Sequence, residues 1–341
     1  MNMKLVIILF LSLLLYGCHK DIEDYTDQNS VFRVFWGEMN EKYVSFEERN
    51  INWDSIHSEY ISGITDQTTG IELKSAFGEI LSYVNDLHVS IQTDKKEYLI
   101  TGSKTLGREV PRELIYDHYF SSEIPFTHLF SDQLPEKVLY FSIPDFKTVP
   151  SPDSIKVLLG SFSFEGGLII DLRDNHGGSV KVMYELLSFF CPSDYVAGYE
   201  KIKTGPGHND FSEFRSIVID GNSFVPAHIR KVILVNENVF SAANIFAAFM
   251  HPVPNTTIIG TRTSGGAGYP VSSILPNNWI LNYPRNKLYD RNYQYLDHGV
   301  HPDISINVPK SYWNNLDRYN AIDPVIEKAL EYLESEDRIG N

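Results

Sequence analysis

The stretch VNENVFSAANIFAAFM, residues 235–250, sets one serine, Ser241, at the seam between an apolar strand-like run and an amphipathic helix. A serine there has two uses. Its hydroxyl can cap the helix it precedes. Alternatively, with the small Ala242 and Ala243 beside it, it stands open to a carbonyl carbon as a nucleophile, the Ala242 N–H facing the oxyanion. A second patch, DLRDNHGGS at 171–179, ends a buried strand in charge and leads through Gly177 and Gly178 into a helix. Glycines let the backbone approach a ligand, and N–H groups at a helix start stabilise negative charge, which is what an oxyanion hole needs. The same residues also suit a tight strand-to-helix turn with no ligand. The third patch is NDLHVSI, where His88 stands at a helix-to-strand junction. A neutral imidazole matters to catalysis only beside a nucleophile; elsewhere it is a surface or satisfied core side chain.

These residues need elements to hold them. Phe32, Phe35, Trp36, Met39 and Tyr43 recur at helical steps, as do Ile56, Tyr60, Ile61 and Ile64, then Leu73, Phe77, Ile80, Leu81 and Val84. Three amphipathic helices follow, the third opening on a capping box at Thr69–Glu72 and ending near Asn85 and Asp86, where HVSIQ turns to strand alternation. Residues 31–92 read as a helical cap region, and 93–135 as a connecting segment with turns and no clear period. From 136 to 341 buried strands (137–143, 166–173, 231–236, 256–261) alternate with helices over 179–190 and from Ser241, the texture of a helix-covered sheet; a last helix spans 323–335. Tyr199–Phe211 lies between core elements and is rich in turn residues, either a wall of a substrate groove or a plain surface loop.

The chain of 341 residues, 43% hydrophobic and 21% charged, is long enough to bury a sizeable core in one or two domains. Its net charge of −15, without a Lys/Arg cluster, argues against a nucleic-acid partner. No H-E-x-x-H pair, paired-cysteine motif or acidic calcium loop is present, so neither metal nor other cofactor is expected. The N-terminus, MNMK followed by LVIILFLSLLLYGC, is a basic head with an apolar run too short to favour a permanent span, and residues 1–17 read as a secretory signal. The polar, acidic residues 18–30 suit a flexible tether. With Cys18 and Cys191 the only cysteines, an internal disulfide is not expected if Cys18 is modified.

Leu15-Tyr16-Gly17-Cys18 resembles a bacterial lipobox, which implies lipidation of Cys18, an anchor in a lipid bilayer and a cell-envelope location on the periplasmic or surface side; an ordinary signal with an incidental cysteine is the alternative. The stretches FWGEMNEKYVSFEERNINWDSI, LSYVNDLHVSI, VLYFSIPDF, GGLIIDLRDNHGG, VILVNENVFSAANIFAAFM, IIGTRTSGGAG and GVHPDISI, in that order, resemble the C-terminal processing (tail-specific) serine peptidases and the core peptidase part of the tricorn protease. That resemblance implies a crotonase-like (ClpP/crotonase) α/β core with an N-terminal helical cap, and hydrolysis of peptide or unfolded-protein substrates through an acyl-enzyme. It puts Ser241 in the nucleophile's place and Gly177, Gly178 and Ala242 in the oxyanion hole's. Many relatives use a lysine base in a GxKTxG stretch, where this chain has Arg262, which cannot readily give up its proton. The tricorn-like branch uses a histidine matched by His88 and an acid near GVxPDI; the usual acid position is Leu296, with Asp297 one step on as the candidate to orient His88. The 93–135 segment is too short for a PDZ domain of ordinary size. Two rival readings are a non-catalytic apolar-ligand-binding protein on the same fold and an esterase or amidase using the same serine.

Overall fold

The structure, a computed structural model, describes residues 27–100, 110–120, 129–148, 151–222, 224–317 and 321–335. The expected signal segment and Cys18 lie outside these residues. Helix α1 (Gln28–Lys42) starts at Asp27, whose carboxylate accepts from the Ser30 N–H, and α2 (Trp53–Tyr60) starts at Asn52 in the same way. Helix α3 (Gly70–Val84) carries the full Thr69/Glu72 capping box and stops at Asn85, whose left-handed conformation is one that a short polar residue tolerates. The chain then forms β1 (Ser90–Gln92) and β2 (Tyr98–Ile100).

Helix α4 (Arg112–Tyr119) precedes β3 (Phe130–Leu134) and β4 (Val138–Ser142), after which come α5 (Pro152–Gly160), β5 (Gly167–Asp171) and α6 (Val180–Phe190). Strands β6 (Tyr195–Ile202) and β7 (Arg215–Ile219) lead to β8 (Lys231–Val235), α7 (Ala242–Met250) and β9 (Thr256–Gly260). The chain closes with β10 (Pro270–Ile274), β11 (Ile280–Pro284), β12 (Asn286–Asp290), β13 (Ile304–Ser305), α8 (Lys310–Asn314) and α9 (Pro324–Ser335).

The crotonase-like core implied by the resemblance is not the architecture found. The strands form three open sheets, ordered β13-β9-β8-β5-β4-β3, β10-β11-β1-β2 and β12-β6-β7. The largest is mixed: β13, β9, β8, β5 and β4 are parallel, whereas β3 pairs antiparallel with β4. The reason is local, because β3 reaches β4 through a single turn, Pro135–Lys137, and a parallel pairing needs a crossover of a dozen residues or more. The other two sheets are antiparallel and stand apart from it.

Strand alternation divides the core. Leu139, Phe141, Leu168, Ile170 and Ile233 face α6 and α7, while Val138, Tyr140, Ile169, Val232 and Leu234 pack with α4 and α9 on the other side. A further core gathers α1, α2 and α3 with Ile91 of β1 and with Leu281 and Tyr283 of β11. Tyr199–Phe211 is no plain loop: its first residues belong to β6, and His208 reaches Asn40 of α1 at 2.9 Å.

The charge that ends β5 is internal. Asp171 and Arg173 are fully buried, and Arg173 donates to Asp171 and to Asp323, just before α9, at 2.7 Å each. Burial pushes the Asp171 carboxyl up, but Arg173 and Arg112 outweigh it and hold it near about 2.

Candidate active site

Two turns at the C-terminal ends of the neighbouring strands β5 and β8 build the site, the usual place for a crevice in an open parallel sheet. In the first turn, Asn175 is the pivot. Its side-chain amide donates to the Ile143 carbonyl at 2.9 Å, its Oδ1 accepts from the Gly177 N–H at 2.8 Å, and its carbonyl accepts from the Phe240 N–H at 3.0 Å. Both turns are thereby tied together. Gly177 has φ +96°, and a Cβ there would lie 2.7 Å from the Ser241 Cβ and 2.9 Å from the Ala242 nitrogen, so the two backbones touch.

Ser241 ends the second turn with φ 56° and ψ −125°, a conformation that suits glycine and strains any other residue. Its side chain makes no capping bond to α7. Instead Ser241 Oγ lies 2.9 Å from Nε2 of His88. The Ser241 hydroxyl is therefore not spent on capping α7.

His88 arrives from the other side, between α3 and β1. The Asp86 carboxylate accepts the His88 backbone N–H at 2.8 Å and the Tyr43 hydroxyl at 2.9 Å, and the Phe240 ring sits 4.8 Å from the imidazole. Burial lowers the His88 pKa from its ordinary 6.5, while Asp86 and Asp297 act to raise it and Arg49 acts with the burial. A neutral imidazole with Nε2 free to accept is the form that can take a proton from the serine.

Asp297 is buried in a short turn, Leu296–His298, which Asn244 of α7 holds through a 3.0 Å bond to the Leu296 carbonyl. It does not bond His88. One oxygen accepts from the Ala267 N–H at 3.2 Å and the other from Arg49, and Nδ1 of His88 is buried with no hydrogen-bond partner among the described residues. Burial, with Asp86 nearby, raises the Asp297 pKa, and Arg49 opposes this. Leu296, at the usual acid position, points into the core. Arg262 is exposed and donates to the His298 carbonyl, away from Ser241.

The oxyanion candidates separate. The Gly177 N–H is engaged by Asn175, whereas the N–H groups of Gly178 and Ala242 donate to nothing among the described residues. A cavity of about 790 Å³ has Gly177 and Gly178 in its wall beside Arg112, Asp145 and Lys147, while Ser241 and His88 do not line it. Sequence reasoning missed Arg49, Asp86, Asn175 and Asn244. Asn175 had a signal in the DNHGG turn, Asp86 one in NDLH, and Arg49 only its place in the stretch FWGEMNEKYVSFEERNINWDSI. No group of three His, Cys, Asp or Glu side chains among the described residues could hold a metal ion.

Comparison with known proteins bears on the family and the fold. Residues 137–306 match Peptidase family S41, and residues 24–82 match the Tricorn protease C1 domain. A tricorn protease homolog of Saccharolobus solfataricus is 25% identical over 280 residues, 79% of this chain and 24% of that protein. The chain spans less than a third of the length of the curated relatives it matches. Among solved structures, a Parabacteroides merdae protein described as a candidate peptidase superposes with a TM-score of 0.81 at 24% identity, covering 91% of this chain and 98% of that one. The tricorn protease itself superposes with a TM-score of 0.55 at 16% identity, over 92% of this chain and 37% of that one. The open mixed sheets are those of this peptidase architecture.

Proposed function

The chain belongs to the C-terminal-processing, S41 and tricorn-like family of serine peptidases, and on that premise we propose that it hydrolyses peptide bonds through an acyl-enzyme on Ser241. The observation that carries the reading is the 2.9 Å contact between Ser241 Oγ and His88 Nε2, made by a serine whose backbone is strained and whose hydroxyl caps nothing. In this reading Ser241 Oγ attacks the scissile carbonyl carbon as its proton passes to Nε2. The oxyanion that forms is held by the N–H groups of Ala242 and Gly178, which need no other bond broken first. The imidazolium returns the proton to the leaving amine, and a water, deprotonated by the same nitrogen, attacks the acyl carbon and frees Ser241. Gly177 serves this turn as spacer, its N–H already given to Asn175.

The charged lining of the cavity, with Arg112, Asp145 and Lys147, suits a polar peptide chain better than the apolar ligand of the binding-protein reading. The test is fluorophosphonate labelling of the protein lacking residues 1–18, beside Ser241→Ala and His88→Ala. Labelling at Ser241 in the wild type and its loss in both variants is the expected result; a folded wild type left unmodified at Ser241 would sink the proposal. Anchoring through Cys18, in the bacterial envelope, is a separate proposal that rests on the sequence before residue 19. It expects labelled palmitate to enter the full chain and not its Cys18→Ala variant, and equal incorporation into both would refute it.

A further inference from the structure

This inference rests on the reading of His88 as the base for Ser241 and concerns what stabilises its charged form. The groups facing the imidazole come from three places. Asp86 belongs to its own turn, Asp297 to the Leu296–His298 turn, and Arg49 to the turn after α1; Tyr43 and Tyr295 close the shell, bonded to Asp86 and to Ser45. All four carboxylate oxygens are already in use. Asp86 accepts from the His88 backbone N–H and from Tyr43, and Asp297 accepts from the Ala267 N–H and from Arg49. None of them bonds Nδ1 of His88, which is buried and unpartnered among the described residues.

Arg49 joins the two acids. Its Nε lies 3.6 Å from Asp86, its Nη2 donates to Asp297, and its Nη1 donates to the carbonyl of Asn85, which ends α3. With both acids ionised, two carboxylates and one guanidinium leave one net negative charge beside the imidazole. Proton transfer from Ser241 to Nε2 would bring that cluster to neutrality, and in a buried setting such compensation is strong without a direct bond.

We propose that Arg49 is a positioning residue for the general base: it clamps Asp86 and Asp297 into one buried unit whose single net negative charge stabilises the His88 imidazolium across space, in place of a carboxylate bonded to Nδ1. Without the arginine, two like charges would share the pocket and hold neither position. With one acid neutralised, the imidazolium would form without compensation.

The pH dependence of the second-order rate of fluorophosphonate labelling at Ser241 tests this, because the rate follows the neutral fraction of His88. Asp297→Asn removes a negative neighbour, so the acid limb should move to lower pH by about half a unit to one unit and the plateau rate should fall about tenfold. Arg49→Gln frees both acids from their clamp, so the plateau rate should fall about tenfold, and Arg49→Lys should bring it back. Thermal unfolding of each variant checks that it is folded, and Asp297→Asn decides the matter alone if Arg49→Gln does not fold. An Asp297→Asn limb that stays at the wild-type pH overturns the proposal, even if the rate falls, because a merely structural loss lowers the rate without moving the limb. Failure of the underlying reading looks different: the wild type would then label without dependence on His88.

Discussion

At the scale of the residue, Ser241 carries a conformational cost that its neighbours do not. A non-glycine residue held at φ 56° and ψ −125° stores on the order of 1–3 kcal/mol, sustained because Gly265 accepts its N–H at 3.0 Å and Asn175 fixes Phe240 before it. Two variants without the hydroxyl separate strain from chemistry. Ser241→Ala keeps a Cβ in the strained position, whereas Ser241→Gly releases it, so the glycine variant should be the more stable of the two by about 1 kcal/mol. Both should be dead to fluorophosphonate. Urea denaturation of the pair reads the difference, and equal midpoints would mean that the turn is relaxed and the backbone argument for a nucleophile fails. This strain was not legible in the sequence, since SAAN before an apolar helical face is also what an ordinary cap looks like.

At the scale of the element, the sequence was most readable where signals are local. The capping box at Thr69–Glu72, the α3 terminus at Asn85 and the buried runs that became β4, β5, β8 and β9 all depend on residues a few positions apart. What stayed hidden depends on distant partners. Strand β1 is three residues long and exists because β11, some 190 positions later, pairs with it at Ser90–Asn282. The segment 93–135, without period in the sequence, contains β2, α4 and β3, short elements whose strands pair with near neighbours β1 and β4. His88 and Ser241 could be named from their patches, but Arg49 lies in a turn whose role appears only when Asp297 is folded against it. The glycine turn offers an element-scale prediction. Gly177→Ala would drive a methyl to within 2.7 Å of the Ser241 Cβ at φ +96°, so one backbone must yield, and labelling should fall about a hundredfold or more. Gly37→Ala, inside α1 with nothing within 4 Å of the added carbon, should leave labelling intact and raise stability by about 0.5–1 kcal/mol. Labelling of Gly177→Ala at the wild-type rate would show that the close approach of the two turns is dispensable.

At the scale of the whole molecule, the site is a seam between two cores. Ser241 stands on the large sheet with α6 and α7, whereas His88 is held by α3 and β1, whose core is completed by Leu281 and Tyr283 from a hairpin some 190 residues later in the chain. The helical region is therefore not closed by its own residues, and the position of its histidine depends on chain that follows the serine. Polar ties run the same way: Glu38 of α1 accepts from Ser273 at 2.6 Å, and Lys287 of β12 pairs with Glu48. Leu281 is fully buried opposite Ile91, three residues beyond His88. Leu281→Ala should cost about 2–5 kcal/mol and loosen β1 against β11, so His88 should lose its register with Ser241 before the protein unfolds. Leu333→Ala makes a matched control. Leu333 is equally buried, in the core on the other face of the large sheet, and it packs on Gly167 at the start of β5, the strand end opposite the site. At a temperature where both variants are folded by circular dichroism, Leu281→Ala should label about tenfold more slowly than wild type and Leu333→Ala at close to the wild-type rate. If the two slow labelling alike, the placement of His88 does not depend on the core that it shares with the late hairpin, and the seam has no special hold on the chemistry.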